Sequence, residues 1–328
     1  MHAAEPAIVT QDLSKSYPGV QAVRGVSFTV AQGETFGFLG LNGAGKSTTI
    51  AMLCTLTAPT GGRAWVAGFD VAAAPAEVRR RIGVVFQDTT LDSDLTASEN
   101  LRFHAELYGV PKVVLASRLD QVLTLVGLVD RRRSLVRTFS GGMKRRLEIA
   151  RGLLHSPQVL FLDEPTIGLD PQTRRQVWAY LHQVQRREAI TMFLTTHYLE
   201  ETEHCDRIAI IDDGRIVVEE TPRALKATLS KDRIELRTED DDAAFTALSD
   251  RFGLQPTLTE GSVIAYVTDG AGFVPRLCAG LGVPILAVSV TTPTLDDVFL
   301  HYTGRTVLNV EASAGERLRS NPLLRARK

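Results

Sequence analysis

The stretch Gly40-Leu41-Asn42-Gly43-Ala44-Gly45-Lys46-Ser47-Thr48 lies between an apolar run and a segment with helical spacing. Its residue types suit a polyphosphate. Glycines let the chain curl so that successive backbone N–H groups point inward, and a helix starting at Lys46 adds positive potential at its N-terminus. The Lys46 ammonium is then placed for β- and γ-phosphates and the Ser47 hydroxyl for Mg²⁺. Far downstream, Val159-Leu160-Phe161-Leu162 reads as an apolar strand ending in Asp163 and Glu164. Neighbouring side chains on a strand point in opposite directions. Asp163 is therefore expected to serve the metal shell and Glu164 to face an attacking water as general base. Together the two segments describe hydrolysis of a nucleoside triphosphate.

A third segment, Phe139-Ser140-Gly141-Gly142-Met143, opens a helix with a serine cap followed by two glycines, another backbone cradle for an anion. One chain needs one phosphate cradle per nucleotide. A second is useful if it closes over the nucleotide held by another copy.

These residues resemble the LSGGQ signature of ABC ATPases, which likewise lies just before the strand carrying the paired acids. The resemblance covers roughly residues 5–230, with further motifs in the family's order. It implies that Tyr17 stacks on adenine, that Gln87 at the end of VVFQ approaches Mg²⁺ and the attacking water, and that Gly168-Leu169-Asp170 lies along a dimer seam. His197 after FLTT would contact the γ-phosphate. Taken singly, Tyr17, Gln87 and His197 also fit a packed aromatic, a surface amide and a loop histidine. Their joint order favours the functional reading. Phe139 replaces the family's leucine, and Met143 replaces a glutamine that could reach the opposite ribose.

The segments FSGGMKRRLEIARGLL, DEPTIGLDPQTRR, TTHYLEETEHCDRIAIID and TPTLDDVFLHYTGR are similar to ATP-binding subunits of ABC-2 exporters, particularly the daunorubicin/doxorubicin-resistance group. The resemblance implies ATP and Mg²⁺ as ligands, a homodimer, a separate transmembrane permease and a peripheral place on the cytoplasmic face of the membrane. Nucleotide contacts are implied for Tyr17, Asn42, Gly43, Ala44, Gly45, Lys46, Ser47, Thr48, Ser140, Gly141, Gly142 and Asp170. Metal contacts are implied for Ser47, Gln87 and Asp163. Catalytic roles fall to Glu164, His197, Gln87 and Lys46.

The elements that must position these residues alternate strand and helix to about residue 230. That alternation predicts a mainly parallel sheet covered by helices, an α/β P-loop NTPase domain of the ABC ATPase kind. Helical spacing over 98–109 and 113–127, with no strand between, predicts an inserted helical subdomain at about 94–137. A β-α-β-β-α-β order over 231–304 predicts a small α+β ferredoxin-like accessory domain, and residues 305–328 read as a basic, flexible tail.

The chain has 328 residues with 44% hydrophobic and 23% charged, enough apolar content for two packed domains. Lys and Arg total 37 against 38 Asp and Glu, net −1, so binding to nucleic acid through overall charge is not expected. The basic runs 131–133 and 144–146 read as solvated or ion-paired helix surface. Three widely spaced cysteines predict neither a disulfide framework nor a zinc site. The N-terminus lacks a secretory pattern, and the longest uncharged stretch, 277–295, is broken by glycines and prolines. Alternatives to drug or metabolite efflux are lipid or polysaccharide export and a non-transport mechanochemical ATPase. The translation and repair branches that supply such ATPases usually carry duplicated units or long coiled coils, and neither pattern occurs.

Overall fold

β1 (Ile8–Tyr17) reverses through Pro18 and Gly19 into β2 (Val20–Val30), and a turn at 31–33 leads into β3 (Thr35–Leu39). The phosphate-loop segment follows, then α1 (Lys46–Leu53), β4 (Gly61–Val66), β5 (Phe69–Asp70), α2 (Pro75–Arg81) and β6 (Ile82–Val85). α3 (Ala97–Leu107) and α4 (Lys112–Leu125) form the inserted helical part, and α5 (Gly141–Leu153) leads into β7 (Val159–Asp163). α6 (Pro171–Glu188), β8 (Thr191–Thr196), α7 (Leu199–Thr202), β9 (Arg207–Asp212) and β10 (Arg215–Glu220) complete a compact unit that ends at Thr221. This computed structural model describes residues 5–229, 231–259 and 261–304, so the basic tail expected over 305–328 lies outside the described residues.

The parallel expectation holds for only part of this unit. β9, β3, β8, β7 and β6 run parallel in that spatial order, with β10 antiparallel at one edge. β2, β1, β4 and β5 instead form a separate antiparallel sheet. The reason is connection length: the tight Pro18-Gly19 turn can only make a hairpin, whereas parallel neighbours need a crossover. The central strands are buried on both faces, which is why TFGFL, VLFLD and TMFLTT show no polar alternation. The two sheets face each other through aromatic rings. Phe28 of β2 stacks on Phe36 of β3 at 5.4 Å and on Phe193 of β8 at 5.8 Å, and Phe161 of β7 meets Phe193 at 5.6 Å. Rings at these spacings gain contact energy beyond simple burial.

Helix starts follow local chemistry. Thr96 and Glu99 close a reciprocal capping box at α3, and Asp170 caps α6, where Pro171 takes the first position.

A second compact unit begins at Pro222, earlier than the boundary expected near 230. The intervening residues form α8 (Pro222–Thr228), whose Leu225 is fully buried and which packs on α11 (Leu295–Thr303). Between them lie β11 (Asp232–Thr238), α9 (Asp241–Asp250), β12 (Thr257–Thr259), β13 (Ser262–Val267), α10 (Gly270–Gly280) and β14 (Ile285–Thr291). The sheet order β12-β13-β11-β14, antiparallel throughout, is that of two interleaved split β-α-β units. Its own core contains Ile234, Leu236, Leu248, Val263 and Leu277. Among the described residues, no helix is long and apolar enough to cross a membrane.

Candidate active site at the carboxyl ends of the parallel strands

In open α/β sheets, ligands bind where the strands' carboxyl ends open into crevices. Four of the parallel strands deliver expected residues at that edge. β3 runs into the phosphate loop, β6 leads to Gln87, β7 ends in Asp163 and Glu164, and β8 leads to His197.

Gly45 takes φ 108 as the N-cap of α1, and a Cβ there would meet the Ala22 carbonyl oxygen at 2.5 Å. Only glycine lets the loop pass so close to the neighbouring sheet. Lys46 is buried. Its Nζ donates to the carbonyls of Gly40 (2.8 Å) and Leu41 (3.3 Å) and lies 3.1 Å from Glu164 Oε1. Ser47 Oγ donates to Asp163 Oδ1 at 3.3 Å, and Thr195 Oγ1 donates to the same oxygen at 2.5 Å. A hydroxyl and a carboxylate are thus brought together as hard oxygen donors, the set that suits Mg²⁺.

Glu164 does not obey the alternation expected of a strand. β7 stops at Asp163, and Glu164 adopts φ 49, a left-handed conformation costing a non-glycine residue about 1–3 kcal/mol. The turn takes the carboxylate back toward the loop, so Asp163 meets Ser47 while Glu164 meets Lys46. Its other oxygen, Oε2, accepts from His197 Nδ1 at 2.7 Å, and its backbone N–H donates to Thr195 O (3.1 Å) and Oγ1 (3.2 Å). Burial pushes the Glu164 carboxyl up. The His197 hydrogen bond and the Lys46 charge outweigh it and hold the group below its ordinary value.

A cavity of about 360 Å³ is lined by Tyr17, Asn42, Gly43, Gly45, Lys46, Ser47, Thr48, Gln87 and Glu164. It therefore unites residues expected from four separate parts of the chain. Tyr17 is 45% exposed at its rim, an accessible ring face rather than a core aromatic. Ala44 is buried behind the loop, where its carbonyl accepts from Gly214 N–H at 3.0 Å. Ala22, Leu41 and Ile167 also line the cavity; Leu41 lies inside the phosphate-loop run and Ile167 inside DEPTIGLDPQTRR, but none was expected as a contact. Thr195 is the other omission; the paired threonines ending FLTT were its only trace. A cavity of about 490 Å³ around Glu5, Gln158, Glu188 and Thr191 lies at the amino ends of β7 and β8 and contains none of the expected residues.

Ser140, Gly141, Gly142 and Asp170 do not line the Lys46 cavity; they form a second group where α5 and α6 begin. Ser140 Oγ accepts from Met143 N–H at 3.3 Å, and Asp170 Oδ1 accepts from the N–H groups of Gln172 and Thr173. A Cβ on Gly142 would come within 2.2 Å of Thr173 Cγ2, so the two helix starts touch only because residue 142 has no side chain.

The solvated reading of the run 144–146 fails at its centre. Arg145 is 6% exposed and bound to backbone carbonyls, while Arg146 donates to Val126 O and Tyr180 Oη. In the run 131–133, Arg132 pairs with Asp120 at 2.7 Å, as an ion-paired surface requires.

The family profile described as "ABC transporter" matches residues 23–167. The chain is 40% identical over 306 residues to the daunorubicin/doxorubicin resistance ATP-binding protein DrrA of Streptomyces peucetius, covering 91% of this chain and 92% of that protein. It is 38% identical over 297 residues to the Nod factor export ATP-binding protein I of Burkholderia orbicola, covering 90% and 96%. Among solved structures, cbiO1 from Clostridium perfringens, part of the ABC transporter complex cbiONQ, matches with a TM-score of 0.64 at 28% identity, covering 68% of this chain and 91% of that one. A dimeric post-hydrolysis ATP-binding cassette bound to ADP and Pi matches with a TM-score of 0.60 at 25% identity, covering 65% and 98%. Identity of this order across most of the sequence shows that the chain belongs to the ABC transporter family and is one of its ATP-binding, ATP-hydrolysing subunits.

Proposed function

We propose that this subunit powers efflux of a drug or hydrophobic metabolite through a separate membrane permease, working as a head-to-tail homodimer on the cytoplasmic face of the membrane. The observation that carries the reading is the presence of two anion cradles in one chain, only one of which opens onto the cavity of Lys46 and Glu164. In a C₂ dimer the same patch is used twice, so the Ser140–Met143 cradle of each chain would cover the nucleotide held by its partner. Closure must favour ATP over ADP for work to be transmitted, and the γ-phosphate charge between two helix N-termini supplies that difference.

Within one site, Tyr17 offers a ring for the base, and the N–H groups of 42–48 receive the phosphates. Asp163 and Ser47, with Gln87 nearby, would hold Mg²⁺, which when bound neutralises charge on the phosphate oxygens. Glu164 takes the proton from the attacking water, with His197 fixing the orientation of its carboxylate. Phosphates drawing the Lys46 ammonium away from Glu164 Oε1 would remove a charge that depresses the carboxyl. The base then strengthens as substrate seats.

Glu164→Gln tests this mechanism: ATP binding and dimer formation should persist while turnover falls at least about 100-fold. Full turnover, or a chain that stays monomeric with ATP bound, would sink the proposal. Export of another cargo, a lipid or polysaccharide, is the second reading, since one relative is named for Nod factor export and not for drug resistance. Drug-sensitivity assays with the chain and its permease expressed together separate the two, because only the first reading requires that the pair raise drug tolerance.

A further inference from the structure

The buried guanidinium of Arg145 makes contacts that the mechanism above does not use. Its Nε donates to Pro165 O at 2.5 Å, Nη1 to Phe86 O at 2.5 Å and to Glu148 Oε2 at 3.2 Å, and Nη2 to Asp163 O at 3.1 Å and Glu164 O at 3.0 Å. One planar group therefore holds the carbonyls of both acids at the end of β7, of the next residue, and of the residue before Gln87. Glu148 fixes the fork from behind, and its Oε1 accepts from Thr90 N–H at 2.9 Å.

We infer that Arg145 is a positioning residue that couples the Ser140–Met143 cradle to the general base of its own chain. Arg145 lies on α5, the helix that Ser140 caps, so a shift of the cradle against a partner's nucleotide carries the guanidinium with it. The guanidinium in turn grips Glu164 on the carbonyl side, while Thr195 grips the N–H side. A left-handed non-glycine residue persists only where its surroundings over-determine it. These two grips flank Glu164 φ, and only the one on Arg145 leads to the second cradle. Arginine suits the task because its rigid fork presents five donors in a plane; a lysine point charge cannot span four carbonyls on two loops.

The inference rests on Glu164 being the base and on the 140–143 segment serving a partner's nucleotide, and its test separates those readings. The full chain is assayed as Arg145→Lys, Arg145→Gly and Glu164→Gln, with kcat, KM for ATP and thermal melting measured for each. Arg145→Lys should melt cooperatively, keep KM within about threefold and lose kcat at least about tenfold. Methylguanidinium should restore kcat of Arg145→Gly by about tenfold or more, and methylammonium at the same concentration should not. If Arg145→Gly does not fold, the kcat-against-KM split in Arg145→Lys decides alone. Wild-type kcat in Arg145→Lys, a loss confined to KM, or a folded Arg145→Gly that methylguanidinium leaves inactive overturns the inference. Turnover retained by Glu164→Gln overturns the base reading instead.

Discussion

Lys46 and Glu164 form a buried ion pair 3.1 Å long, each side chain 5% exposed, that joins the phosphate loop to the end of β7. In the proposed mechanism the ammonium has two claims on it, from the carboxylate and from a bound triphosphate. Removing one partner of a desolvated charge pair costs about 2–5 kcal/mol in binding. Lys46→Ala should therefore weaken ATP binding by at least about 30-fold, as read by equilibrium titration with a fluorescent nucleotide. Unchanged affinity would remove Lys46 from the cradle.

If Glu164 is the base, as proposed, its hydrogen bond to His197 should set the acid limit of turnover. Burial raises the Glu164 carboxyl, and the His197 donor is the larger of the contributions that bring it down. A base with a depressed value stays ionised as pH falls through the ordinary range near about 4.3 and loses activity only below it. His197→Ala removes the donor, so the carboxyl rises and the acid limb of the kcat/KM profile, which reports the free enzyme, moves to higher pH. A profile that falls in height without moving would show that His197 does not tune the base.

Gly142 and Thr173 test the contact between the two helix starts. A methyl at 142 collides with Thr173 Cγ2, and Thr173 cannot swing freely because its Oγ1 donates to Asp170 Oδ2 at 2.5 Å. Overpacking of this kind costs about 1–3 kcal/mol. Gly142→Ala should lower stability by that amount in urea melts, and adding Thr173→Ser, which deletes Cγ2 but keeps the hydroxyl, should recover most of it. A double variant no more stable than Gly142→Ala would rule out the collision.

His104 supplies an acid-sensitive point in the inserted helices. Its ring packs on Tyr108 at 4.6 Å, and burial, with Arg151 and His155 adding, pulls it down to about 4. The unfolded chain accepts a proton on this residue below about 6.5, so the stability it carries is complete above that value and is lost as pH falls toward 4. Discounted for partial exposure, the loss between pH 7 and 5 is about 1 kcal/mol. His104→Phe should show correspondingly less acid destabilisation in urea melts at the two pH values; an identical loss would place the sensitivity elsewhere.

The site's chemistry was legible because its residues come in contiguous runs. The phosphate loop, the acids after VLFLD and the Ser140 helix start each carry type and spacing together within a few positions. The helix-rich insertion and the β-α-β-β-α-β order of the second unit were legible for the same reason: periodicity is a local property. The antiparallel sheet of the first unit was less so. Its long strands, such as IVTQDLSKSY, differ from the parallel ones in carrying polar residues, but their partners depend on which turns are too short to cross over.

Sequence by itself determined which groups are available: a lysine and serine behind glycines, two acids ending a strand, a capped helix start, a histidine after a strand. Tertiary structure decided how they are aimed. The left-handed turn at Glu164, the Thr195 hydroxyl on Asp163, and the burial of Arg145 within a basic run that reads as solvent-facing all arise from contacts between distant segments. A side chain's charge and hydrogen-bonding capacity are written in its own residue. Its direction and its desolvation depend on neighbours that only the folded sheet brings within reach.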